Sequence, residues 1–112
     1  MAEMITTGVW RVSPSKQEAF ETAWTDFATW ASSMDGAGPL RLGRDSDDAQ
    51  RYVSFGAWDS ADQVRAWKSR PEFRERLAQV VQYTDEFNGS ELDVVARAAD
   101  GAGAASATLA TR

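Results

Sequence analysis

The chain has no cysteine and no histidine among its 112 residues. Without cysteine, disulfides, thiolate metal sites and cysteine nucleophiles are excluded. Without histidine it lacks the commonest general base near neutral pH, the commonest metal ligand and the usual axial ligand of haem. Any chemistry must be managed by carboxylates, Tyr, Arg, Lys, Asn, water or the substrate itself. Positive charge is also in deficit, the formal net charge being −5. The basic residues are dispersed among acids, as in RPEFRER and GRDSDD, so no cationic face is available for a phosphate backbone and no nucleic-acid partner is expected. No apolar run approaches the roughly 18 residues that span a bilayer, and the N-terminus shows no signal-peptide pattern. A soluble, cytoplasmic protein without a membrane partner is the expectation.

What is present is enough for a core: 43% of residues are apolar and 11% aromatic, with five tryptophans. A chain of this size is expected to bury roughly two-thirds of its unfolded surface in one domain. Met4–Val12 (MITTGVWRV), rich in β-branched and apolar residues, reads as a first strand, with Gly8 marking a bulge or close approach. Ser15–Lys16–Gln17–Glu18 fits a capping box. Beyond it Phe20, Ala23, Trp24, Phe27, Ala31 and Met34 recur at the spacing of a helix lying on a core, with Trp30 at the flank of the stripe. Asp35–Gly36–Ala37–Gly38–Pro39 ends that helix. Two strands follow, Leu40–Arg44 and Arg51–Trp58, joined by the polar turn Asp45–Ser46–Asp47–Asp48. Its aspartates lack the further Gly and Glu of a calcium loop.

Ser60–Ala61–Asp62–Gln63 is a second capping-box match and opens a short helix. Pro71 opens a further helical stretch with Phe73, Leu77, Val80 and Val81 as its buried positions. Asn88–Gly89 reads as a break, and Glu91–Arg97 (ELDVVAR) as a last strand. The domain thus covers residues 4–97. The run from Ala98 to Arg112, AADGAGAASATLATR, is small and aperiodic and reads as a disordered tail.

The order β-α-β-β-α-β is that of the ferredoxin-like α+β fold, a four-stranded antiparallel sheet with its helices on one face. On the third strand, Val53, Phe55 and Ala57 are expected under the helices. Tyr52, Ser54, Gly56 and Trp58 share the other side and would line a groove. Trp10, Tyr52 and Trp58 would then stand on an open sheet face, and a contiguous apolar face of that size marks an interface. A homodimer through the open face is the expected partner arrangement.

The strand ending RYVSFGAWDS, the W-x-S step at Trp58–Asp59–Ser60 and the segment VRAWKSRPEF with Trp67, Pro71 and Phe73 resemble the antibiotic biosynthesis monooxygenase family of dimeric α/β barrels. The resemblance covers about residues 4–97. It implies a substrate cavity in each subunit between sheet and helices, and oxygenases that use neither metal nor flavin. In these the deprotonated aromatic substrate gives an electron to dioxygen directly while the protein desolvates and orients the pair. It also spans quinol and anthrone oxygenases, haem degraders and proteins without known activity, and polyketide cyclases share the fold. The haem degraders use an Asn on the first strand, a Trp on the second helical segment and a His beyond it. Trp67 falls at the Trp position, whereas the His position falls on Leu77 and the Asn on about Gly8, so haem degradation is not implied.

The resulting site candidates are Trp67, Tyr52 and Arg44 for catalysis, with Trp24, Phe27, Trp58, Arg65, Phe73 and Leu77 for binding a small aromatic ligand, and no cofactor. Each has a plainer reading beside it. Trp67 reads as cavity wall or core filler, and its N–H needs a partner when buried. Trp58 at a strand end reads as structural. Tyr52 reads as a hydrogen-bond partner for a phenol or as a strand residue at a dimer face. Arg44 and Arg65 read as stabilisers of a phenolate or superoxide, or as surface-paired arginines. The non-catalytic alternative is a binding or dimerisation module of the same fold.

Overall fold

In the computed structural model, which describes residues 3–98, β1 (Met4–Arg11) runs down the middle of a sheet. It pairs antiparallel with β3 (Arg51–Trp58) on one side and β4 (Glu86–Asp93) on the other. The fourth strand, β2 (Ala37–Arg44), pairs antiparallel with β3, giving the order β2-β3-β1-β4. The helices α1 (Gln17–Ala31), α2 (Ala61–Lys68) and α3 (Pro71–Val81) fill the connections in the ferredoxin-like order. The α+β architecture expected from the sequence is the one observed.

Local chemistry explains most element ends. Ser60 caps α2, its hydroxyl oxygen accepting from the Gln63 backbone N–H. Pro71 occupies the first turn of α3, where a missing N–H costs nothing. Gly36, with φ of 84°, turns the chain from the end of α1 into β2. Pro39 falls on an edge strand where the β2–β3 register shifts between Ala37 and Leu40, a position that tolerates a missing ladder donor.

Three expectations are corrected. The Ser15 capping box does not form: Pro14 starts a 3-10 turn over Pro14–Lys16, which places Ser15 inside the turn, and α1 begins after Lys16 without a side-chain cap. The last strand lies at Glu86–Asp93, not Glu91–Arg97, and Asn88–Gly89 sits inside it. Residues 94–98 have no regular structure, and the rest of the expected tail lies outside the described residues.

The third correction concerns the sheet faces. Trp10, Tyr52, Ser54 and Trp58 are buried under the helices, at 3%, 1%, 8% and 2% exposure. They meet Phe20, Trp24, Phe27, Val64, Trp67 and Val80 in one core. Val9, Phe55 and Leu92 lie on the open side, 36%, 50% and 47% exposed. Both faces of β3 are apolar, so alternation alone did not distinguish them. The polar tips settled it, since each of the large aromatics finds an internal partner. Trp10 donates to Ser54 at 3.0 Å, Trp58 to Thr6 at 3.1 Å and the Tyr52 phenol to the Glu21 carboxylate. A buried aromatic of this kind needs such a partner, and on the helix side each of the three has one within reach.

Candidate functional site

Between the sheet and the helices lies a cavity of about 310 Å³. Its floor exists because three sheet positions on the helix side carry no side chain. Gly8 pairs with Gly89 on one neighbouring strand and with Ser54 on the other, and Gly56 pairs with Thr6 next along. All three glycines line the cavity. At Gly8 a Cβ would stand 2.8 Å from Trp10 Nε1 and 2.9 Å from Ser54 Oγ, so even alanine would displace one of them. The walls are aromatic and aliphatic: Trp10, Trp24, Phe27, Leu40, Trp67, Phe73, Leu77 and Phe87. A hollow of about 660 Å³ between α1 and α3 is larger, but it is a shallow flank lined by Glu18, Asp26, Arg76 and Gln79 and holds none of the tryptophans.

Trp67 sits at the centre of the aromatic wall. It stacks on Trp58 with ring centroids 4.6 Å apart and 26° between planes, and meets Phe73 edge-on at 4.9 Å and 85°. Phe27 packs against it at 5.8 Å. Its side chain is 5% exposed, and its indole N–H is the one buried side-chain polar group among the described residues that has no hydrogen-bond partner. Two further indoles of this core, those of Trp10 and Trp58, each donate to a hydroxyl. A buried donor left unpaired costs about 1–3 kcal/mol. On a cavity wall that cost marks where a ligand acceptor gains most.

The expected site residues separate into three groups. Trp24, Phe27, Trp67, Phe73 and Leu77 are brought together on this cavity, and Trp58 backs Trp67 from behind. Tyr52 and Arg44 lie in an adjacent groove with Glu21, which accepts from the phenol and lies 3.4 Å from the Arg44 guanidinium. Burial pushes the Tyr52 phenol above its ordinary value; the bond to Glu21 acts the same way and Arg44 opposes both. Tyr52 is therefore a protonated, already committed donor. Arg65 stands in solvent, its side chain 71% exposed and paired with Asp62 at 2.7 Å, because its position on α2 faces away from the sheet.

The sequence reading missed Thr6, Trp10, Phe87, Gly89 and Lys68 at the cavity, while Ser54 and Gly56, expected to line a groove, line this one from the helix side of the sheet. Lys68 is its sole titratable lining residue, and its ammonium lies 2.7 Å from the Glu91 carboxylate. The available signal was the pairing of small residues with aromatics on alternate positions of β1 and β3. Phe87 and Gly89 were hidden because their strand was read as a turn.

The sequence model of the antibiotic biosynthesis monooxygenase family matches residues 4–79. Among solved structures, SnoaB, a cofactor-independent oxygenase from Streptomyces nogalater, aligns with a TM-score of 0.75 at 16% identity, covering 90% of this chain and 100% of that one. A mutant of SnoaB aligns with a TM-score of 0.77 at 18% identity, covering 85% and 95%. A conserved protein from Methanosarcina mazei Go1 aligns at 0.73 with 12% identity, covering 81% and 91%. At such identities the likeness is one of fold. No curated protein matches the chain by sequence.

Proposed function

Because the chain belongs to the antibiotic biosynthesis monooxygenase family, we propose that it is a cofactor-independent oxygenase acting on a phenolic, quinol or anthrone-type aromatic of the kind made in secondary metabolism. The observation that carries this reading is the unpartnered Trp67 N–H on the wall of an aromatic cavity large enough for a fused-ring substrate. Trp24, Phe27, Phe73 and Leu77 sandwich the ring system, and Trp67 donates to a substrate oxygen. No carboxylate lines the cavity, so the proton released on ionisation passes to water. For an anthrone, the carbanion formed by losing one proton gives an electron to dioxygen. Superoxide and the carbon radical combine, the peroxide takes up a proton, and loss of water leaves the ketone. In sum, the ring methylene and dioxygen become a ring carbonyl and water, with both electron pairs accounted for. The protein's part is to exclude water, hold ring and dioxygen together and bind the developing oxyanion.

The open sheet face supports a homodimer as the working unit. Ile5, Val9, Val53, Phe55, Ala57 and Leu92 share that face, and Val9, Phe55 and Leu92 are its most exposed large side chains. An apolar stripe across a sheet is stable when it meets a second copy.

The test is dioxygen uptake by purified protein with anthrone and hydroquinone, measured with an oxygen electrode. Uptake above the uncatalysed rate is expected, slowed about tenfold in Trp67→Phe by loss of one hydrogen bond to a charged oxygen. A broad panel of phenols and anthrones turning over no faster than buffer, with wild type and variant alike, would sink the proposal. A second reading, a non-catalytic aromatic-binding module, is favoured by one observation: the sole titratable lining residue is already ion-paired. Binding without uptake would select it.

A further inference from the structure

The hydrogen-bond direction at the cavity wall carries more than the shape does. An indole N–H is a donor only. Where Trp10 Nε1 lies 3.0 Å from Ser54 Oγ, Ser54 must therefore be the acceptor, and its own proton is not used in that bond. The same holds for Thr6, whose Oγ1 accepts from Trp58 Nε1 at 3.1 Å. Ser54 is 8% exposed and lines the cavity with Thr6 and Trp67. Across the ladder it has Leu42 on β2 and Gly8 on β1, and only the β1 side is bare: a Cβ at Gly8 would fall 2.9 Å from Ser54 Oγ. The Trp67 N–H is a third donor without a partner. Neither carboxylate nor side-chain amide is among the lining residues.

We infer that Ser54, oriented by the Trp10 indole and left without a side chain opposite it at Gly8, is a specificity-determining donor, and that with Thr6 and Trp67 it makes this a cavity whose unused protons select flat aromatics that carry carbonyl or phenolate oxygens. Aromatics whose polar groups are donors, such as arylamines, can use only the remaining lone pair of each hydroxyl and leave the Trp67 N–H unpaired. The inference rests on the aromatic-substrate reading given above and narrows it: the substrate presents oxygen acceptors to the sheet, on the Ser54 and Thr6 side, as well as to Trp67.

Calorimetric binding of two probes of similar size tests this without turnover. 2-Hydroxy-1,4-naphthoquinone, an anion at pH 7 whose oxygens are acceptors, is expected to bind at least about tenfold more tightly than 1-naphthylamine. Ser54→Ala and, independently, Thr6→Val are each expected to shrink that ratio about five- to tenfold, chiefly by weakening the naphthoquinone. Thr6→Val preserves the side-chain shape, so it decides the matter if Ser54→Ala does not fold. Equal affinity for the two probes, preference for the amine, or a ratio unchanged in a folded Thr6→Val protein would overturn the inference. Selective binding with no dioxygen uptake from any anthrone would leave it standing while removing the oxygenase reading.

Discussion

At the scale of single residues, Trp67 shows how a side chain can be costly to the fold and useful to the site. Its ring is held on three sides by Trp58, Phe73 and Phe27, while its N–H has no partner. Trp67→Phe keeps much of the packing and removes the unpaired donor, so its thermal midpoint is expected to match or exceed that of the wild type while ligand affinity falls. Trp67→Ala instead leaves a void in the aromatic cluster and should cost about 3–5 kcal/mol in denaturant unfolding. If Trp67→Phe were as destabilised as Trp67→Ala, the indole N–H would have to be engaged in the free protein. The aspartates of the β2–β3 turn behave differently. The Asp48 carboxyl is held below its ordinary value, first by its bond from Arg11 and then by the Gln50 backbone N–H. A carboxylate with a depressed folded-state value contributes stability above the unfolded value of about 3.9, and that contribution is lost as pH falls through the lower folded one. Asp48→Asn should therefore melt below wild type at pH 7, with the difference closing as pH is lowered from about 5 to about 2. A gap independent of pH would assign the effect to packing rather than charge.

At the scale of elements, the turn that feeds β2 is the most constrained junction. Gly36 has φ of 84°, and a Cβ there would stand 2.3 Å from the Gln63 side-chain amide on α2. Gly36→Ala combines left-handed strain with a clash and should cost about 1–3 kcal/mol. Adding Gln63→Ala relieves the clash but not the backbone strain, so the double variant should recover only part of the loss on thermal melting. Full recovery would show that the backbone conformation is not demanding. This junction was legible from Asp35–Gly36–Ala37–Gly38–Pro39, because glycine and proline act locally. So were α1, from its spacing of Phe20, Trp24, Phe27 and Ala31, and the Ser60 cap. β4 was not, since EFNGSELD has no alternating apolar face. Its helix-side residue Gly89 lies over the cavity, where nothing is packed, and its extended form is imposed by pairing with β1. The cavity was half legible for the same reason. Its aromatic wall follows from helical spacing, but its polar donors depend on Trp10–Ser54 and Trp58–Thr6 pairs that are 44 and 52 residues apart in sequence.

At the scale of the whole molecule, one apolar surface is covered and another is not. The helices cover the tryptophan side of the sheet, and the side carrying Val9, Phe55 and Leu92 has no cover among the described residues. Phe55 is central to that side: it pairs with Thr7 on β1 and with Arg41 on β2, and it is half exposed. A stable association needs roughly 800 Å² from each partner with an apolar centre, which a four-stranded sheet face can supply. Phe55→Glu places a carboxylate at that centre in both copies at once, where two like charges would have to be desolvated together. The variant is expected to run as a monomer in light-scattering chromatography at a concentration where wild type runs as a dimer. Its circular dichroism should stay native, because the Phe55 ring lies on the sheet face opposite the helix-side core. A wild type that is monomeric throughout would remove the dimer, and a variant that stays dimeric would move the interface elsewhere.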